Sequence, residues 1–216
     1  MCKSIESAIL GFANCIFNLI IILKFTDKNI NKYYIPFILN LAMVQFGNII
    51  LWMQYDGKTN LKKNKTNKIT TKFILSVLML QSFTISYMFS KDYDSNSGIN
   101  NLILILTFLI GISKSYDYIK SKDIFTTLKD GKVLEWTRPS KNGKYLFYLF
   151  DIIPFILAYL YSNNKKFTIE LGSIFTLIYL LVLKYGKVWG SEWCAYGTGV
   201  VGYITLFVLG KKNLII

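Results

Sequence analysis

The apolar stretches of this sequence hold few side chains able to do chemistry. Asp151 lies about a turn and a half into the run Tyr145–Ser162, and Glu192 lies four residues into the run Val188–Leu209. Gln45, Asn48 and Trp52 are spaced three and four apart, which puts them on one face of a helix, and Gln81 sits in the middle of Phe73–Phe89. Asn14 and Asn18 form a further pair four apart. Carboxylates held between helices in a low-dielectric setting bind protons, metal cations or organic amines, and can relay protons. Gln45, Asn48, Gln81 and Trp52 would orient such a ligand beside Asp151 and Glu192. A competing reading makes the amides interhelical glue, worth about 0.6 kcal/mol each on average and up to about 2, with Asp151 and Glu192 near enough to the interface to be hydrated. For the amides the packing reading is preferred. Lys144, Lys184 and Lys187 are long enough to reach down and pair with the carboxylates.

Several chemistries are excluded by what is missing. The chain has no His and three Cys (Cys2, Cys15, Cys194) without a CxxC pair, so neither a zinc site nor a disulfide framework is indicated. The last apolar run has no Lys for a retinal Schiff base, the chain has no Ser–His dyad, and no Gly-x-Gly-Asp element of an intramembrane aspartyl protease occurs. There is no P-loop or dinucleotide fingerprint. Tyr196-Gly197-Thr198-Gly199 resembles a potassium filter only in composition, since the order is wrong and the string sits inside a predicted helix. No catalytic residue, metal site or cofactor is therefore assigned, and the chain is not read as an enzyme.

The elements that must position these residues follow from composition. Of 216 residues 53% are hydrophobic and only 17% charged, yet the formal net charge is +13. That combination excludes a soluble globular enzyme, a disordered tail and a disulfide-rich secreted domain, because basic and apolar residues are segregated along the chain. A membrane helix needs about 20 mainly apolar residues. Seven runs qualify: Ser7–Leu23, Tyr34–Gln54, Phe73–Phe89, Asn100–Ser115 (the shortest), Tyr145–Ser162, Phe167–Leu183 and Val188–Leu209. The expected fold is an all-α, polytopic bundle of about seven transmembrane helices in one domain spanning 1–216. Pro36 falls near a helix start, where it is harmless, whereas Pro154 predicts a kink in the fifth helix. The first run has no cleavage site after it and reads as a retained span.

Lysine counts in the short loops predict orientation. The N-terminus and the second, fourth and sixth loops carry 17 of the 25 basic residues, so the N-terminus is expected in the cytosol. The largest loop, 116–144, is basic, and Asp117–Leu128 could form a short helix lying on the bilayer surface, although a solvated topology-setting loop is the preferred reading. Its expected partner is anionic lipid, not nucleic acid, because no module that reads bases is present. Asp56-Gly57 and Asp130-Gly131 are ordinary turn signals, and the Asn64-Lys65-Thr66 sequon falls in a loop expected to be cytosolic and unglycosylated. Ala195 and Gly199, and Thr198 and Gly202, repeat at four-residue intervals and match Ser7, Gly11 and Cys15, which predicts tight packing of the first helix on the last. A homo-oligomer remains open.

At Gln45 and Trp52, Gln81, and Gly190-Ser191 with Trp193-Cys194, the chain resembles a group of multi-pass membrane proteins of giant DNA viruses of the mimivirus type, whose activity is not established. That group carries Gln-x-x-Glu-x-x-x-Trp in its second helix, a Gln-Pro pair in its third and Gly-Ser-x-Trp-Cys at the opening of its last. Here Asn48 stands in place of the Glu and Ser82 in place of the Pro. The resemblance implies a viral protein of a host or virion membrane. The combined expectation is a membrane bundle that binds or conducts a small cation or proton in a polar cavity. The alternative is a purely structural membrane protein with no ligand.

Overall fold

The computed structural model describes residues 4–55, 57, 61–90, 97–122, 124–129, 133–136, 156, 160, 165–185 and 189–210, leaving out the side chains of 29–31, 97, 175–176, 178–185 and 189–196. Helices α1 (Ile5–Phe25), α2 (Lys28–Trp52), α3 (Lys65–Met79), α4 (Gln81–Phe89) and α5 (Ser97–Lys120) come first. A hairpin of β1 (Thr126–Lys129) and β2 (Val133–Trp136) follows, and α6 (Lys165–Tyr185) and α7 (Trp189–Gly210) close the fold. Since α3 and α4 form one rod, six helical rods are present among the described residues.

Four of these rods are long and apolar enough to cross a membrane: Ile5–Phe25, Lys32–Trp52, Lys65–Phe89 and Gly98–Lys120. A count of seven crossings is therefore not supported. The expected fifth span, Tyr145–Ser162, and the kink at Pro154 lie outside the described residues. The polarity of the rods suits a bilayer. Leu10, Phe17, Leu23, Leu102, Ile105 and Leu109 stand exposed on the outer faces of α1 and α5, while Asn18, Asn40, Gln45, Asn48 and Gln81 are buried. The apolar windows of α2 and α3–α4 are 61% and 56% buried, against 22% for α1 and for α5. The first two rods are thus the centre of the bundle and the others its flanks. α2 touches α1, α3, α4 and α7; α5 covers α3 and α4; α1 and α6 pack on α7.

Local sequence sets the ends. Ser4 and Ser7 exchange side-chain bonds with each other's backbone N–H at 3.3 Å, a reciprocal cap that starts α1. Asn64 accepts from the Asn67 N–H at 2.8 Å and starts α3, so the sequon asparagine serves as a helix cap. Gly57 adopts φ +77°, a left-handed turn at the expected Asp-Gly pair. α2 begins six residues earlier than the apolar pattern suggested, which places Pro36 two turns inside the helix and not at its start.

The loop 116–144 departs from expectation. α5 continues to Lys120, and Asp117–Leu128, read as a solvated loop in preference to a short surface helix, instead ends α5 and leads into an antiparallel hairpin with Thr126 opposite Trp136 and Lys129 opposite Val133. The fold is thus not purely α-helical. The hairpin is fixed to the start of α3. Thr126 donates its N–H to Asn67 Oδ1 at 2.9 Å, and Asn67 Nδ2 donates to the Thr126 carbonyl at 3.0 Å. One carboxamide thereby pairs with Thr126 as a peptide unit of a neighbouring strand would. Thr71 and Thr126 share a further hydroxyl bond of 2.8 Å, and Ile124, Leu134 and Trp136 join the bundle's apolar core.

Candidate functional site

The third rod breaks in its middle without proline or glycine. Leu80 sits at φ −82°, ψ −4°, and its N–H bonds to the Val77 carbonyl at 3.1 Å, a tightened turn that separates α3 from α4. The cause lies on neighbouring helices. Asn40 of α2 donates its Nδ2 to the Val77 carbonyl at 2.8 Å, and Ser115 of α5 shares its hydroxyl hydrogen between the Gly111 carbonyl of its own helix at 2.8 Å and the Ser76 carbonyl at 3.1 Å. Gly111 lets α5 press on the break, since a Cβ there would stand 2.8 Å from the Met79 carbonyl oxygen. Side chains inserted into the helix's own bonding ladder are a recognised source of kinks, and here two helices insert from two sides. Below the break Thr84 caps back, its Oγ1 donating to the Gln81 carbonyl at 2.9 Å.

The inward face of this rod carries two polar groups, Asn67, Thr70 and Thr71 in α3 and Gln81, Ser82, Thr84 and Ser86 in α4, all buried and separated by the buried Ile74, Leu75 and Leu78. Gln81, expected at the middle of the third span, begins α4 directly after the break and is fully buried. On α2, Gln45, Asn48 and Trp52 are buried as well. The Gln45 carboxamide rests on α1 at Gly11, where a Cβ would lie 3.0 Å from Gln45 Cδ. Trp52 meets Tyr55 edge-on with centroids 6.0 Å apart, and its Nε1 is buried without an acceptor among the described residues.

These residues do not all stand at one depth. Tyr33 contacts Tyr87, and Asn40 reaches Val77, so α2 and the broken rod run antiparallel. Gln81 is then level with residues 36–39 of α2, roughly 10 Å along the axis from Gln45 at 1.5 Å per residue. Asn48 and Trp52 lie further toward the end where α1 begins. Glu192 belongs to the first turn of α7, which runs parallel to α1 and so starts at that same end; its side chain, and Asp151 altogether, lie outside the described residues.

Asn14 and Asn18 are occupied. Asn18 Nδ2 donates to Asn14 Oδ1 at 3.1 Å, and Asn14 Nδ2 donates to the Thr198 carbonyl of α7 at 2.9 Å. The predicted contact between α1 and α7 is present, but its small residues work differently. Gly11 accommodates Gln45 and Gly197 faces Leu41, both on α2, whereas Gly199 and Gly202 face open space. Glu170 accepts a 2.6 Å bond from Tyr203 Oη and lies 4.0 Å from Lys166.

Sequence reasoning missed Asn40, Ser76, Ser86 and Ser115. Asn40 stands about 140° around α2 from Gln45, off the stripe that marked the other three residues. Asn40 Oδ1, Ser76 Oγ and Ser86 Oγ are buried without hydrogen-bond partners among the described residues. Among the described residues no three Cys, Asp or Glu side chains gather in a way that could hold a metal ion. The described interior therefore offers neutral amide, hydroxyl and indole groups. Comparison with protein-family models gives no match for this chain, and comparison with curated proteins gives none either.

Proposed function

We propose that this protein is a multi-pass membrane protein that binds or conducts a small cation or proton through the polar interior between α2 and the broken α3–α4 rod. The observation that carries the reading is the rod itself, with seven buried polar side chains and a break in its middle. Broken helices at membrane depth are tolerated where they are buried in protein or line a polar cavity. Among the described residues, the buried atoms Trp52 Nε1, Asn40 Oδ1, Ser76 Oγ and Ser86 Oγ have no partner, each at a cost of about 1–3 kcal/mol unless a small polar species meets it. Asp151 and Glu192 supply the negative charge in this scheme, with Gln45, Asn48, Trp52 and Gln81 around the path. The N-terminus is cytosolic on the lysine distribution, and on the resemblance to giant-virus proteins the membrane is that of a host or virion.

The test is proton and monovalent-cation flux in proteoliposomes, comparing wild type with Asp151→Asn, Glu192→Gln and Gln81→Leu. Flux that falls in these variants while the protein stays folded supports the reading, and flux equal to that of empty vesicles ends it. A structural role without ligand is the second reading. It is favoured by Asn14 and Asn40, whose Nδ2 donors go to carbonyls of neighbouring helices.

A further inference from the structure

The end of the bundle where α3 starts and α5 finishes carries a set of lysines that the proposed interior path does not use. Lys68 and Lys72 lie one turn apart on α3. The Lys72 ammonium donates to the carbonyl of Ile119, in the last turn of α5. Lys120, the next residue, lies over the Tyr116 ring at 4.4 Å, and Lys68 lies over Phe125 at 5.9 Å, just before β1. Three ammonium groups are thus held around one junction of α3, α5 and the hairpin by contacts with a carbonyl and two rings. None of the three has a carboxylate partner among the described residues; at this end Lys114 pairs with Asp117 at 3.8 Å.

The same two helices present an apolar strip beside those lysines. Ile69 and Phe73 on α3, and Ile112 and Tyr116 on α5, are exposed. Both rods are among those long and apolar enough to span a bilayer, so the strip faces acyl chains and the lysines stand at headgroup height. Aromatic rings and lysines at this depth are the usual anchors of a span. Positive charge beside exposed apolar side chains on two membrane-length helices matches the chemistry of a phosphate diester carried on two hydrocarbon chains. The hairpin, pinned through Asn67 and Thr126, keeps Phe125 and hence Lys68 in place.

We propose that the α3–α5–hairpin junction is a binding site for an anionic phospholipid, with Lys68, Lys72 and Lys120 on the headgroup phosphate and Phe73 and Tyr116 against the chains. The occupant is a membrane lipid and not a soluble phosphate. Each lysine near a charged membrane surface is worth about 1 kcal/mol, which is about a fivefold change in affinity.

The experiment titrates the purified full-length protein, in neutral detergent micelles, with a fluorescent phosphatidylglycerol and its phosphatidylcholine counterpart. Wild type is expected to prefer the acidic lipid by at least tenfold. The triple variant Lys68→Gln, Lys72→Gln, Lys120→Gln is expected to lose that preference, and the triple Arg variant at the same positions to keep it. Lys24→Gln, Lys28→Gln, Lys32→Gln at the opposite end should change it less than twofold. Far-ultraviolet circular dichroism checks that each variant retains its helices, and the Arg variant carries the test if the Gln variant unfolds. Equal affinity for the two lipids, equal loss in both Gln variants, loss in the Arg variant or displacement by millimolar inorganic phosphate would overturn the proposal.

Discussion

Replacing Gly111 by Ala tests the origin of the broken rod most directly. The added Cβ would stand 2.8 Å from the Met79 carbonyl oxygen and 3.2 Å from Leu80 Cδ2. Carbon–oxygen contacts settle at about 3.3–3.6 Å, so α5 must withdraw by roughly half an ångström or more, and the obstacle is backbone, which cannot rotate away. Overpacking of this kind costs about 1–3 kcal/mol. The same retreat strains the Ser115 bond to the Ser76 carbonyl, a contribution of about 0.6 kcal/mol for an average bond of its type. Against this, Ala is favoured over Gly within a helix by up to about 1 kcal/mol. The balance is a destabilisation of about 1–2 kcal/mol. Gly202→Ala is the matched control, since nothing lies within 4 Å of its added carbon; it should be neutral or stabilising by up to about 1 kcal/mol. Unfolding both variants and wild type by titrating sodium dodecyl sulfate into neutral micelles, followed by helical circular dichroism, gives the comparison. If Gly111→Ala is as stable as Gly202→Ala, α5 does not press on the break and the account of its cause fails.

Two further outcomes follow from the packing. Asn67→Ala removes both bonds to Thr126 and strands a buried peptide group, at a cost of about 2–3 kcal/mol; amide hydrogen exchange across Thr126–Lys129 should accelerate at least thirtyfold, and unchanged exchange would show that the hairpin is held by other means. Cys15 is fully buried, so with Cys2→Ser and Cys194→Ser in place a maleimide should leave it unmodified in native micelles and label it within minutes after denaturation. Rapid native labelling would place α1 elsewhere.

The first four spans were legible because uninterrupted apolar length is a property of the segment itself. Their ends were less so: the Lys-rich last turns of α5 and the first turn of α2 look like loop by hydropathy, yet they continue helices that are packed along their sides. Thr126–Lys129 was not recognised as a strand because the basic stretch 116–144 reads as a solvated loop, and Phe125 and Leu128 otherwise fit a helical stripe. The signals for strand were present in Thr126-Thr127, in Val133, and in Asp130-Gly131 at a three-residue connection. The inward face of α2 followed from the spacing of Gln45, Asn48 and Trp52, and burial of Gln81 followed from its depth. The break at Leu80 was invisible for a different reason. Its determinants, Asn40, Gly111 and Ser115, sit on other helices, so no reading of residues 65–89 in isolation contains them. Gly199 and Gly202 illustrate the reverse case, where a spacing typical of helix contacts meets nothing within 4 Å among the described residues, while α1 touches α7 through Asn14 on the Thr198 carbonyl.

The pairing of Asn67 with Thr126 has a consequence for crowding. A four-residue ribbon next to a membrane ordinarily offers an open row of amides to any extended chain drifting past. Here one asparagine occupies the outward N–H and carbonyl of Thr126 in β1, and β2 lies against α7. Copies crowded in a membrane are therefore hindered from zipping their ribbons into common sheets at that residue, and losing the single carboxamide would remove the safeguard.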